Sequence, residues 1–296
     1  MTEIVLRGGL GNQLFQYAAA RALSLRSGTE TRIITTLLNS DFGEDVSERD
    51  LHLHNFDIKA ETYGSSALSR AQRLYYRAER KTGAVLGRLA ADVLGVYTEQ
   101  ERFGCDPNFG TIPGNLRLYG YWQSERYFRD HSDLIRAELT LSSDMNDENR
   151  RWHDRITDAR SLSVHVRRGD YINLGLDLPP EYYRAALTQV SDRGISDVFF
   201  FSDDIGWVRE NADRLVPERM DVAAHFVDCN SEVGPHEDLR LMRACDHHVI
   251  ANSTFSWWGA WLDESDEALT VSPAYWFDVP TDEIRVIPQR WKTVDW

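Results

Sequence analysis

Ser161-Leu162-Ser163-Val164-His165-Val166-Arg167-Arg168-Gly169-Asp170-Tyr171 is the stretch whose reading decides the fold. Its apolar lead-in reads as a buried strand. The strand runs straight into two arginines, a glycine and an aspartate. Open α/β sheets bind ligands outside the carboxyl ends of their strands, so the arginines stand where a ligand would. A guanidinium offers paired donors and stays charged at any working pH, which suits phosphate. The same residues admit a plainer reading, a strand end closed by a structural Arg–Asp pair, which is a common arrangement.

Downstream, the alternation is regular. Strands are expected over 161–167, 197–202, 222–227, 247–251 and 269–272, with helices over 181–192, 205–213, 236–245 and 255–262. Pro180 is well placed to open the first of these helices. Strict alternation of this kind predicts a doubly wound parallel sheet. The Trp- and Pro-rich tail, 275–296, is expected to pack back across the molecule.

Upstream, a short strand over 3–6 leads into Arg7-Gly8-Gly9-Leu10-Gly11-Asn12-Gln13 and a helix over 12–27, followed by a strand over 31–35. Strand, glycine-rich turn and helix begin a βαβ unit. Leu14 stands where a dinucleotide fingerprint needs its third glycine, and no Gly-Lys-Ser/Thr follows, so neither a dinucleotide nor an ATP site is expected. The turn offers close backbone approach and amides at a helix start; a plain tight turn is the other reading. Residues 36–64 read as irregular with one short strand. Residues 66–95 read as helical, with Arg70, Arg73, Arg77 and Arg80 on one face. A loop over 105–115, a strand over 116–122 and a helix over 124–139 follow. The polar run 139–149 is the linker candidate, a helix over 151–158 bridges the halves, and the expected domains are 1–145 and 146–296.

The chain has 33 basic and 47 acidic residues, a formal charge of −14. So acidic a chain is not expected to bind nucleic acid through its overall field. Positive charge for an anionic ligand must be local, which singles out Arg7, Arg167 and Arg168. Cys105, Cys229 and Cys245 are odd in number and widely spaced, arguing against a disulfide scaffold or zinc site and for a reducing compartment. No secretory pattern opens the sequence and no run of about eighteen apolar residues occurs, so a cytoplasmic protein is expected. No Asp-x-Asp triplet occurs, and the adjacent Asp203 and Asp204 splay their carboxylates. No metal cofactor is therefore expected. His247 and His248 point to opposite faces of a strand and read as structural. Trp257, Trp258 and Trp261 read as core in preference to a sugar-stacking platform.

Three stretches fall in one order: Gly8-Gly9-Leu10-Gly11-Asn12-Gln13, then His165-Val166-Arg167-Arg168-Gly169-Asp170-Tyr171, then Asn252-Ser253-Thr254-Phe255-Ser256-Trp257-Trp258. Together they resemble glycosyltransferase family 11, the α-1,2-fucosyltransferases. The resemblance implies two facing Rossmann-like domains of GT-B type. It implies metal-independent, inverting transfer of fucose from GDP-fucose to the 2-hydroxyl of an acceptor sugar, a β-galactoside in polysaccharide or glycan synthesis. On that basis Arg167 and Arg168 grip the diphosphate, His165 approaches the nucleotide, and Ser253, Thr254, Phe255 and Ser256 complete the grip. Asp203, at a neighbouring strand end, joins the donor-binding candidates. Arg7, Gly9, Gly11, Asn12 and Gln13 form the reaction-centre loop, with Asn12 orienting the acceptor hydroxyl. Asp170, Asp177 and Glu181 are candidates for the general base, Asp170 foremost, although Asp170 reads equally as an arginine partner. Two alternatives stand beside this: a transferase for another GDP-sugar, and a non-catalytic carbohydrate or nucleotide-sugar binding protein. A lipid-linked acceptor would bring the chain to the inner face of a membrane, where the Arg70–Arg80 stripe could touch anionic lipid.

Overall fold

A computed structural model describes residues 1–38, 50–64, 68–72, 74–76, 91, 93–99, 104–277, 279–280 and 284–296. The chain divides into two compact units, Met1–Ser142 and Ser143–Trp296.

The first unit is built on β1 (Thr2–Val5), β2 (Thr31–Ile34), β3 (Ala60–Tyr63), β4 (Val96–Thr98) and β5 (Arg117–Tyr119), in the order β3-β2-β1-β5-β4. All pairings are parallel. The helix α1 (Leu10–Ser27) is buried along most of its length, because its apolar and small residues cover more than one face. Gly28 ends it in the left-handed conformation, its N–H returning to Leu25 and Ser24. The segment expected as one helix over 124–139 is two short 3₁₀ turns and α2 (Ser132–Glu138). Ser124 caps the first turn from its side chain, and Phe128 leaves helical geometry between the two turns.

The second unit opens with α3 (Asp147–Thr157), capped by Asn146. Its sheet contains β6 (Ser161–Val166), β7 (Asp197–Ser202), β8 (Ala223–Phe226), β9 (His247–Val249), β10 (Thr270–Pro273) and β13 (Lys292–Val294), in the order β13-β10-β9-β6-β7-β8. Every pairing is parallel. The helices α4 (Gly169–Leu174), α5 (Pro180–Thr188), α6 (Ile205–Leu215), α7 (Pro235–Arg243) and α8 (Thr254–Trp261) connect the strands. The alternation of β7 shows why the sheet is covered on both faces. Val198 and Phe200 enter one core with Tyr182 and Leu187 of α5, while Phe199 and Phe201 enter another with Ile156 of α3 and Leu241 of α7. The sixth strand comes from the tail. Beyond a small hairpin of β11 (Tyr275–Trp276) and β12 (Val279–Pro280), β13 pairs with β10, and Trp257 Nε1 donates to the Val286 carbonyl at 2.9 Å. Trp257, Trp258 and Trp261 are buried core residues.

Of the arginine stripe, Arg70 is exposed, and Arg73, Arg77 and Arg80 lie outside the described residues. Among the described residues no helix is long and apolar enough to cross a membrane.

One buried ion pair ties α1 to α2. Glu138, 6% exposed, accepts from Arg21 Nε and Nη2 and from the Tyr17 hydroxyl. That hydroxyl in turn accepts from the Lys59 amide at 2.9 Å. Removing one member of such a pair leaves the other charged and desolvated. Glu138→Ala is expected to destabilise the chain by about 3–5 kcal/mol, read as a fall in the unfolding midpoint in urea. Arg21→Met with Glu138→Leu should recover most of that loss.

Candidate active site

The second sheet has a topological switch point. The chain leaves β6 for β7 and β8 on one side and returns to β9 on the other. The crevice outside the carboxyl ends of β6 and β9 is where such sheets bind ligands. Arg167 and Arg168 leave β6 there, and Asn252 and Ser253 leave β9 there.

Both arginines are engaged. Arg167 Nη2 donates to Asp170 Oδ1 at 2.6 Å and Nη1 lies 3.0 Å from Asp203 Oδ2. Its guanidinium also covers the Tyr171 ring at 5.2 Å. Arg168 contacts Asp204 through Nε at 3.2 Å and Asp177 through Nη1 at 3.5 Å. Its backbone amide donates to Asp203, and its guanidinium lies 3.8 Å from the Trp207 ring centroid. Four aspartates thus meet two guanidiniums. The two arginines differ in degree: Arg167 makes the shorter ion pairs, whereas Arg168 makes longer ones and lies closer to its ring. Asp204 has a second duty, capping α6 through the Trp207 amide. The structure therefore brings Asp170 and Asp177 to the arginines as ion-pair partners. Glu181 lies exposed in the first turn of α5.

The start of α8 is different, because no side chain caps it. Ser253 is the N-cap residue in extended conformation, yet its hydroxyl caps no amide. Ser256 is buried and donates to the Ser253 carbonyl at 3.2 Å. Thr254 and Phe255 are half-buried in the first turn. His165 is 3% exposed, its ring 5.5 Å from that of Phe255, and its Nδ1 has no hydrogen-bond partner among the described residues. Burial, helped by the charge of Arg167, pushes its pKa down to about 3. The imidazole is therefore neutral at working pH and can serve only as a hydrogen-bonding group. Asn252 donates to the Leu176 carbonyl at 3.0 Å, but its buried Oδ1 has no partner among the described residues. Tyr171 braces the same loop, its hydroxyl donating to the Asn252 carbonyl at 3.2 Å. Helix-start amides with buried, unsatisfied donors and acceptors beside them form a natural seat for an anion.

The first sheet has its own switch point, between β1 and β5. Gly8 carries the turn after β1 with φ +79°, and a side chain there would strike Asn12. Gly9 is the extended N-cap of α1, and Gly11 is buried in its first turn. Gln13 is fully buried and acts as a strap: its amide donates to the Gly8 and Asp50 carbonyls, and its oxygen accepts from the His52 amide. Gln16 performs the same service for Arg7 and Gly120. The Arg7 guanidinium lies 4.6 Å from the Tyr121 ring and donates to the Tyr119 hydroxyl at 3.0 Å. Asn12 Oδ1 accepts from Gln123 Nε2 at 2.8 Å. Gln123 is 6% exposed, and its own Oε1 has no hydrogen-bond partner among the described residues.

Trp207, Gln123, Tyr121 and Glu99 belong to these two crevices and were not singled out from the sequence. Their signal lies in strand order: 116–122 reads as a strand, but only its place beside β1 makes its end a site. Among the described residues no group of three or more His, Cys, Asp or Glu is arranged to hold a metal ion.

The chain is 29% identical to the alpha-1,2-colitosyltransferase of Escherichia coli, over 98% of this chain and 97% of that protein. It is 31% identical to galactoside alpha-(1,2)-fucosyltransferase 1 of Ateles belzebuth, over 51% of this chain and 44% of that one. The solved fucosyltransferase NodZ from Bradyrhizobium aligns over 88% of this chain and 91% of its own, with 17% identity and a TM-score of 0.47. The profile of Glycosyl transferase family 11 matches residues 101–294. That span runs from ahead of β5 to the end of β13 and includes the whole crevice of the second sheet: the chain belongs to glycosyl transferase family 11.

Proposed function

We propose that the chain transfers L-fucose from GDP-fucose to the 2-hydroxyl of an acceptor sugar, with inversion and without a metal ion. The observation that carries this reading is the β6–β9 crevice. There Arg167 stands beside an uncapped helix start and two buried, unpartnered polar atoms, His165 Nδ1 and Asn252 Oδ1. Such a set suits a nucleoside diphosphate: guanidinium and amides for the phosphates, neutral polar groups for the nucleoside. In the transfer, the bond from the sugar's anomeric carbon to the β-phosphate oxygen breaks as the acceptor oxygen attacks the opposite face. The acceptor proton leaves to a base, and GDP departs with the bonding pair. Charge builds on the diphosphate, so a guanidinium fixed there contributes more in the transition state than in the ground state. Arg7, Asn12 and Gln123 form the acceptor-side set, with Gln123 Oε1 open to a sugar hydroxyl. A second donor has specific support, because one relative matched over nearly its whole length is a colitosyltransferase. Colitose is fucose without its 3-hydroxyl, so both donors present the same diphosphate to the same crevice.

Incubation with GDP-fucose, GDP-colitose, GDP-mannose and UDP-galactose against a panel of β-galactosides tests the reading. Transfer from one of the first two, undiminished in EDTA, is expected. No transfer from any GDP-sugar, or transfer that chelation abolishes and manganese restores, would overturn it.

The arginines should separate cleanly. Arg167→Ala is expected to weaken GDP binding and lower kcat, by about 2–5 kcal/mol in all, or roughly thirty- to several-thousand-fold, with little change in unfolding temperature. Arg168→Ala should lower activity and unfolding temperature together, because it also uncovers the Trp207 ring and leaves Asp204, the cap residue of α6, without its ion pair. Arg168→Lys should recover little of either, since an ammonium reproduces neither the stacking nor the fork.

Asp170→Asn distinguishes the two roles of that carboxylate. As a partner of Arg167 it contributes only what a partly exposed pair does, so its loss should leave kcat nearly unchanged and tighten GDP about two- to fivefold. A kcat loss of about 10²–10⁴-fold would instead make it the general base. We expect the first outcome, on the strength of the 2.6 Å contact with Arg167. Isothermal titration with GDP and initial rates at saturating donor measure both.

A further inference from the structure

Glu99 follows β4, in the first unit, and its carboxylate grips a turn that belongs to another strand. Its Oε2 accepts from the Tyr121 amide at 2.8 Å and its Oε1 from the Trp122 amide at 2.9 Å. The grip is close because residue 120 is glycine: a Cβ there would lie 2.5 Å from Glu99 Cβ and 2.9 Å from its Oε2. Trp122 holds φ +57°, a conformation that a bulky side chain adopts only under constraint, and its ring is fully buried. The clamped turn leads directly to Gln123, which donates to Asn12, and it carries Tyr121, which underlies Arg7.

We infer that Glu99 is a positioning residue: its ionised carboxylate holds the Gly120–Gln123 turn so that Gln123, Asn12 and Arg7 present one acceptor-binding surface. The inference rests on the acceptor-side reading given above for that surface.

The carboxylate is suited to both amides only when ionised. A protonated carboxyl has one good acceptor oxygen, and its hydroxyl would face an N–H it cannot bond. Burial pushes the Glu99 carboxyl up to about 7, against the lowering effect of the two amides and Arg7. Asp106 adds to the upward shift. The titratable and charged groups around Glu99 among the described residues are Arg7 from the turn after β1, Asp106 from the loop after β4, and Tyr127 beside it. Asp106 is itself held by the Tyr97 hydroxyl at 2.7 Å and by the Asn108 amide. As pH falls through about 7, the turn loses one of its two fastenings and transfer should fall with it. Stability moves the other way. A carboxyl raised in the folded state makes its favourable contribution below its unfolded pKa, and that contribution is lost as pH rises through the folded one. Activity and stability should therefore show opposite slopes near neutrality, both due to one group.

The test has two arms. In the ¹⁵N-labelled protein, the Tyr121 and Trp122 amide signals are followed from pH 5.5 to 8.5. They should titrate together near neutrality in the wild type and stay still in Glu99→Gln. In steady-state assays Glu99→Gln should lower kcat about 10- to 100-fold, the order of loss that a misplaced positioning group causes, abolish the acid limb, and leave GDP affinity unchanged. Amide signals that do not titrate, or a folded variant with wild-type kcat and an intact acid limb, would overturn the inference. If the wild-type chain transfers no sugar at all, it is the transferase reading that fails, and the amide titration still decides Glu99. If Glu99→Gln does not fold, the wild-type titration decides it as well.

Discussion

In a chain of formal charge −14, both arginines at the end of β6 meet the chain's own carboxylates. In this protein they come from three places: Asp170 in α4, Asp177 in the loop before α5, and Asp203 with Asp204 at the end of β7. The consequence for function depends on how firmly each contact is held. A partly exposed pair contributes about 0–1 kcal/mol, so a phosphate that displaces Asp170 from Arg167 gives up little. Both guanidiniums hold carboxylates at their rim and a ring face beneath, Arg168 nearer to its ring, at 3.8 Å, than Arg167, at 5.2 Å. The aspartates also order both side chains in advance, which removes part of the entropy that a ligand would otherwise have to supply.

Both sheets use the same constructional rule. At each switch point a few fully committed polar groups lock the backbone, and the groups next to them remain available. In the first unit Gln13 and Gln16 use their amide groups on main-chain atoms of neighbouring loops. Asn12, one residue before Gln13, is half-buried, and its Oδ1 accepts from the side chain of Gln123. Helical geometry explains the division: successive residues of α1 are turned about 100° apart, so one points into the core and its neighbour toward the crevice.

Much of this was legible in the sequence. The five alternating strands from 161 onward appear in the parallel sheet, and Asp197–Ser202 was read to the residue. The buried tryptophans of α8 and the structural histidines after β8 were also legible, from period and from adjacency. Other parts were not, β4 and the split of 124–139 among them. β13 could not be read, because a three-residue strand in a tail carries no periodicity of its own; its pairing with β10 defines it. The helix α4 was hidden because its six residues are too few to show a helical period. The crevice residues Trp207, Glu99 and Gln123 were hidden for a deeper reason. Their importance comes from strand order, and sequence fixes which segments are strands far better than which strands are neighbours. The glycine turn shows the same limit on a small scale: Gly9 and Gly11 fit the motif, but the left-handed residue is Gly8.

Geometry alone also misleads, as β6 demonstrates. Ser163 Oγ lies 2.8 Å from His248 Nδ1, and His248 Nε2 lies 3.0 Å from Asp263 Oδ2. The order Ser–His–Asp and the distances match a nucleophile, its base and an orienting carboxylate. Yet Ser163 and His248 are fully buried, and Ser163 sits mid-strand between β7 and β9. No substrate carbon can approach that hydroxyl, and every polar atom in the row already has its partner. What the row does is fasten β6 to β9, which share only three paired residues, directly beneath the crevice. Two residues further along the same face comes His165, equally buried but with Nδ1 unsatisfied. A strand that satisfies one polar side chain completely and leaves the next open, at the end where ligands bind, has placed its boundary between framework and site between Ser163 and His165.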